Sequence, residues 1–215
     1  MRGAIGSFNF AGVARILKMV EQFGGIHTVI VMRSRHGNAA MKMKLGNWFR
    51  IKLMPTIPKT QKLEEIRKEA LRLSGEKRTA DQLMEEITTL LNAQMLKYNW
   101  VGFYMLEHSA DPPVLVLGHY KGAMTPHTRI PLHQGICGAA ASSGKTVVVD
   151  DVKRDPRYLA CSLETKSEIV VPIFARGKVV GELDIDSHFP AAFGKEDREL
   201  IEYCAELVGK RLELP

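Results

Sequence analysis

Residues 167–187 read SEIVVPIFARGKVVGELDIDS. Two runs rich in Val and Ile flank Ala175-Arg176-Gly177, so the stretch is expected to fold as a β-hairpin. Side chains alternate faces along a strand. Leu183 and Ile185 therefore point one way, and Glu182, Asp184 and Asp186 point the other. With Ala175-Arg176-Gly177 as a three-residue loop and Gly177 in its left-handed position, Phe174 pairs with Lys178. Counting back places Glu168 opposite Asp184. Directly opposed like charges destabilise a sheet. Carboxylates gathered this way point to a bound cation, a metal or a shared proton. The alternative is a solvated sheet face, and a bulge introduced by Pro172 would break this register.

Outward from this hairpin, further strands are expected at 99–106, 113–120 and 145–149 from their β-branched and aromatic content. Residues 63–73 (LEEIRKEALRL) read as an exposed helix with opposite charges at helical spacing. Thr79 and Gln82 have the spacing of a capping box, and Leu83, Ile87, Leu90, Leu91 and Met95 follow at helical intervals. A short helix is expected to start near Gly135, and a final one to run over 195–212. His127 and His133 flank an Arg129-Ile130-Pro131 turn and read as surface residues. This order of elements favours an α/β fold with a largely antiparallel central sheet flanked by helices.

The net charge of +6 belongs to one end of the chain. Residues 1–60 hold 10 of the 30 Lys and Arg but only one acid, Glu21, for a net of +9; the remaining 20 basic and 23 acidic residues leave 61–215 at −3. The folded part therefore has no electrostatic footprint for nucleic acid. Residues 1–60 read as a basic N-terminal extension, either disordered or the product of a start placed upstream of Met54. Within it, 14–23 has the pattern of a short helix and 26–32 of a short strand. The domain proper is expected at 61–215. No apolar run reaches the ~18 residues of a membrane helix, and a cytoplasmic protein with no membrane partner is expected.

Three cysteines do not make a disulfide framework. Cys137 lies in Gly135-Ile136-Cys137-Gly138, where the amides of a helix N-terminus would favour its thiolate; otherwise it is a small buried residue. Cys161 lies in a polar segment near Lys153, Arg154, Arg157 and Lys166. It reads either as a reactive thiol in a basic setting or as an inert, half-buried one. Cys204 shares a helical stripe with Leu200, Leu207 and Val208 and reads as core. Trp100 and Tyr104 share a strand face and would either wall a ligand pocket or pack in the core. No spacing matches a zinc site, and no residue is assigned to a metal.

Several strings occur in a telling order: Asn99-Trp100-Val101-Gly102-Phe103-Tyr104, Arg129-Ile130-Pro131, Gly135-Ile136-Cys137-Gly138, Ala160-Cys161, Ser167-Glu168-Ile169-Val170-Val171-Pro172 and Leu183-Asp184-Ile185-Asp186-Ser187. Together they resemble the free methionine-R-sulfoxide reductase family over roughly 61–213. The resemblance implies a GAF fold, commonly a homodimer, that reduces free L-methionine (R)-S-oxide through a cysteine sulfenic acid and a disulfide. It implies no bound cofactor, with reducing equivalents from thioredoxin or another thiol. It places the nucleophile at Cys161, and substrate recognition and sulfoxide protonation on Glu168, Asp184 and Asp186 (Asp186 as the catalytic carboxyl). Trp100 and Tyr104 then line the pocket. Typical members carry a cysteine two residues before the Arg-Ile-Pro string, and it commonly resolves the sulfenic acid. Here that position is His127, which leaves Cys137 or an external thiol to resolve it. A stand-alone GAF domain that binds a small molecule or senses redox state without turnover is the alternative.

Overall fold

The computed structural model of the chain describes residues 58–75, 78–160 and 162–214. The expected helix at 14–23 and strand at 26–32 lie outside the described residues, and so does Cys161. In chain order the elements are α1 (Lys59–Gly75), α2 (Ala80–Gln94), β1 (Trp100–Glu107), β2 (Val114–Lys121), β3 (Arg129–Pro131), α3 (Gly135–Ser143), β4 (Val147–Val149), a 3₁₀ turn (Val152–Arg154), β5 (Ser167–Ala175), β6 (Lys178–Ser187) and α4 (Lys195–Leu212). The strands form one sheet in the order β3-β2-β1-β6-β5-β4, and every neighbouring pair is antiparallel. The expected antiparallel α/β architecture is present. Arg129-Ile130-Pro131, expected as a turn, instead forms the edge strand. Ile130 pairs with Leu115 and is buried with it. Pro131 sits at the end of that edge strand, a position that tolerates its missing N–H.

The β5–β6 hairpin corrects the expected register. Its loop has two residues, Arg176 (φ 50°) and Gly177 (φ 72°). Both φ values are positive, as the mirror-image hairpin turns require. Ala175 therefore pairs with Lys178, and a bulge between Ile173 and Phe174 shifts the ladder once more. Glu168 faces Asp186, not Asp184. The two one-residue shifts add to two, so Glu168, Glu182, Asp184 and Asp186 keep their expected face.

One sheet face carries the main core. Ile169, Val171, Ile173, Leu183 and Ile185 pack there against Leu83, Ile87 and Leu91 of α2 and Leu200, Ile201 and Cys204 of α4. Truncating such a residue to Ala typically costs about 2–5 kcal/mol. Cys204 is buried in this core as its stripe implied. Thr79 and Gln82 form the expected reciprocal capping box at the start of α2. α1 is exposed on one face only: Leu63, Ile66, Ala70 and Leu73 recur at helical spacing and are buried, which the dense charges on its outer face obscure. At the start of α4, the buried Asp197 carboxylate accepts hydrogen bonds from Tyr98 Oη (2.9 Å) and the Gly194 N–H (3.1 Å). It is also ion-paired to Lys59 (2.9 Å) and Lys97 (2.7 Å).

Candidate functional site

The opposite sheet face holds the acidic residues. Pairing along the ladders sets them in three rows. Trp100 pairs with Asp186, which pairs with Glu168; Gly102 pairs with Asp184, which pairs with Val170; Tyr104 pairs with Glu182, which pairs with Pro172. These acidic residues are not solvated. Glu168, Glu182, Asp184 and Asp186 are at most 4% exposed. α3 covers them, with Ile136, Cys137, Ala140 and Ala141 packed into a second core beside Trp100, Tyr104, Leu115 and Val170.

The aromatic wall depends on a glycine. Trp100, Gly102 and Tyr104 share the face, and the Trp100 indole lies directly over Gly102. A Cβ at 102 would sit 2.2 Å from Trp100 Cη2. With that space empty, the indole stacks on Tyr104 at 6.2 Å and on Tyr120 at 5.7 Å between ring centroids. Its Nε1 donates to the Ala123 carbonyl (3.1 Å), and Tyr104 Oη donates to the His127 carbonyl (2.7 Å). Sequence reading did not single out Gly102. The signal was there: a glycine between two aromatic residues on one strand face.

Cys137 is the third residue of α3, and its Sγ lies 3.6 Å from Asp184 Oδ2 and 3.9 Å from Glu168 Oε1. The expectation that the helix N-terminus favours a thiolate is overturned. Burial, reinforced by the charges of Asp184, Glu182 and Glu168, pushes this thiol well above its ordinary pKa. Desolvation and three facing carboxylates outweigh the half-charge of a helix end.

The carboxyls are shifted in the same direction. Burial raises Glu182 to about 8, with Cys137 opposing. Burial and then the Asp184 and Asp186 charges raise Glu168. Burial raises Asp184, with Glu182 next, and raises Asp186, with Asp184 next. Both Glu182 carboxyl oxygens, Asp184 Oδ1 and Asp186 Oδ1 are buried without a hydrogen-bond partner among the described residues. Such groups are costly unless a proton or a cation offsets them. Glu182 belongs to this set, although the resemblance assigned it no role. The arrangement is equipped to hold a cation, and to keep a carboxylic acid protonated near neutral pH.

The segment joining the 3₁₀ turn to β5 runs beside this face. Its Arg157 guanidinium is committed to Asp155, with Nε and Nη2 at 2.9 and 2.6 Å. Tyr158 and Leu159 pack on the second core. His127, expected as a surface residue, reaches this segment: its Nε2 lies 3.2 Å from the Ala160 carbonyl.

A GAF-domain family model matches residues 78–212. The free methionine-R-sulfoxide reductase of Saccharomyces cerevisiae is 42% identical over 113 residues, covering 52% of this chain and 62% of the relative. GAF domain-containing protein A of Dictyostelium discoideum is 35% identical over 136 residues, covering 63% and 82%. The crystal structure of the free methionine-R-sulfoxide reductase from Neisseria meningitidis in complex with its substrate aligns with a TM-score of 0.69 at 33% identity, covering 74% of this chain and 93% of that one. By the extent of the domain match and the identity to these reductases, the chain is a GAF-domain protein that belongs to the free methionine-R-sulfoxide reductase family.

Proposed function

We propose that this protein reduces free methionine (R)-S-oxide to methionine, with Cys161 as nucleophile. One observation carries the reading. Glu168, Asp184 and Asp186 are buried together against the Trp100–Tyr104 wall, beside the segment that contains Cys161. Free methionine sulfoxide offers an ammonium, an aliphatic stem and a sulfoxide. Buried carboxylates suit the ammonium, and the aromatic wall suits the stem. The Cys161 thiolate attacks sulfur, a carboxylic acid protonates the sulfoxide oxygen, that oxygen passes from the methionine sulfur to the cysteine sulfur as methionine leaves, and a cysteine sulfenic acid remains. Asp186, held above its ordinary pKa by burial, is our choice for that acid. A second thiol condenses with the sulfenic acid, releasing water and forming a disulfide, and thiol–disulfide exchange then frees Cys161, with two electrons in all supplied by one dithiol such as thioredoxin. Cys137, buried and held protonated, is a poor attacking thiol, so we assign resolution to the external reductant. Recognition of the free amino acid by buried carboxylates would exclude methionine sulfoxide within a peptide.

His127, at the position where family members commonly carry a cysteine, favours a second reading, ligand binding without turnover. The test is consumption of free methionine (R)-S-oxide with excess dithiothreitol, which bypasses that missing cysteine. Turnover by the wild type that is abolished in Cys161→Ser supports the reductase. A folded wild type that binds the sulfoxide but leaves it unreduced supports the binding module.

A further inference from the structure

The donor set around Cys137 fits a second kind of cation besides an ammonium. One atom each from Cys137, Glu168 and Asp184 lie within 4.8 Å of one another, and all three residues are buried. The sulfur stands 3.6 and 3.9 Å from the two carboxylate oxygens. In a tetrahedral zinc site, metal–sulfur bonds of about 2.3 Å and metal–oxygen bonds of about 2.0 Å set sulfur and oxygen roughly 3.5 Å apart. The two separations therefore approximate the sulfur–oxygen edges of such a tetrahedron. A second observation is independent of the clustering: both oxygens of Glu182 and one of Asp184, on the same strand face, are buried without a hydrogen-bond partner among the described residues.

We propose that Cys137, Glu168 and Asp184 form a site for one thiophilic divalent cation of the Zn²⁺ class, as three protein ligands with a fourth position open. Ca²⁺ needs six to eight oxygens, and Mg²⁺ prefers octahedral oxygen coordination and retains several waters. A buried sulfur among few oxygens suits a four-coordinate, borderline-soft ion. Binding deprotonates the thiol, and the ion's own charge reverses the local electrostatics that otherwise hold it protonated. The ion would occupy the carboxylates assigned above to the substrate's ammonium, so metal and substrate would exclude each other. The metal inference rests on the donor geometry and not on turnover.

The test is a Co²⁺ titration of the full reduced chain, prepared without oxygen and with a phosphine reductant to keep the thiols free. A thiolate ligand gives a sulfur-to-cobalt charge-transfer band in the near ultraviolet. The expected result is one equivalent bound with that band, and displacement by Zn²⁺, which forms the tighter complex. Cys161→Ser keeps the band. Cys137→Ser loses it and binds at least about tenfold more weakly. Glu168→Gln retains the band at lower affinity, so the outcome does not hang on the folding of one variant. No band in the wild type, a band that survives Cys137→Ser, or one lost in Cys161→Ser overturns the proposal. Turnover in dithiothreitol is measured separately, so the two readings fail independently.

Discussion

His127 Nε2 lies 3.2 Å from the carbonyl oxygen of Ala160, a contact that requires a proton on Nε2. The same residue accepts from Tyr104 Oη through its own carbonyl, so it ties the aromatic wall to the segment containing Cys161. On the proposed chemistry, a thiol at 127 would stand where family members commonly carry their resolving cysteine. His127→Cys is expected to form a disulfide with Cys161 on addition of free methionine sulfoxide, visible by peptide mapping. Its thioredoxin-driven rate should rise roughly tenfold while the dithiothreitol-driven rate changes little. Absence of that disulfide in an active variant would show that the two segments do not meet as described.

Glu182 predicts a stability that falls as pH rises. Burial lifts its carboxyl from an ordinary 4.5 to about 8. Between those values the folded state holds a proton that the unfolded state has released. The contribution is therefore undiminished below about pH 4.5 and is lost progressively up to about pH 8. The two pKa values bound the loss at roughly 4–5 kcal/mol. Glu182→Gln should flatten this part of the profile, so that its advantage over wild type in chemical denaturation grows from pH 5 to pH 8. Parallel profiles for the two proteins would show that Glu182 is not buried as a neutral acid.

The sequence made the faces legible and the register not. Alternation in 182–186 places three carboxylates on one side whatever their partners are, because strand periodicity is local. The pairing of Glu168 depended on a loop that Arg176 shortens by adopting φ 50°, and on a bulge that falls beside Pro172, a residue that hints at such an irregularity without fixing it. The capping box of α2 was readable because both its members lie within one turn. The charge state of Cys137 was not, since a helix N-terminus is visible in sequence but the three carboxylates that oppose it come from β5 and β6. His127 does lie at the surface, but its contact with Ala160 was not readable for the same reason, since that partner is 33 residues away.

Asp197 predicts the opposite pH behaviour. Burial works to raise its pKa, but hydrogen bonds from Lys97, Lys59 and Tyr98 and the two lysine charges outweigh it and hold the carboxyl below its ordinary 3.8. Its stabilisation is present above that value and is lost as pH falls through the depressed folded pKa. Asp197→Ala removes the partner of Lys59, Lys97, Tyr98 and the Gly194 N–H together. Breaking a buried ion pair typically costs about 3–5 kcal/mol; with Lys59 half exposed, about 2–4 kcal/mol is expected here. Urea denaturation at pH 7 measures it, and the gap to wild type should narrow on acidification below about pH 4. A loss under about 1 kcal/mol would mean that water replaces the lysines without cost.

Gly102→Ala tests the aromatic wall without removing any functional group. The new methyl would lie 2.2 Å from Trp100 Cη2 and 2.6 Å from Cζ3, so the indole must leave its place over the strand. Overpacking of this kind costs about 1–3 kcal/mol, which a domain of this size can absorb. Displacement of Trp100 breaks its bond to the Ala123 carbonyl and its stacking on Tyr104 and Tyr120, and near-ultraviolet circular dichroism should report that change. If the wall holds the substrate's aliphatic stem, KM for free methionine sulfoxide should rise on the order of tenfold or more. The carboxylates and Cys161 are untouched, so kcat should fall much less than kcat/KM. A displaced indole with an unchanged KM would remove Trp100 from the binding site and leave recognition to the carboxylates alone.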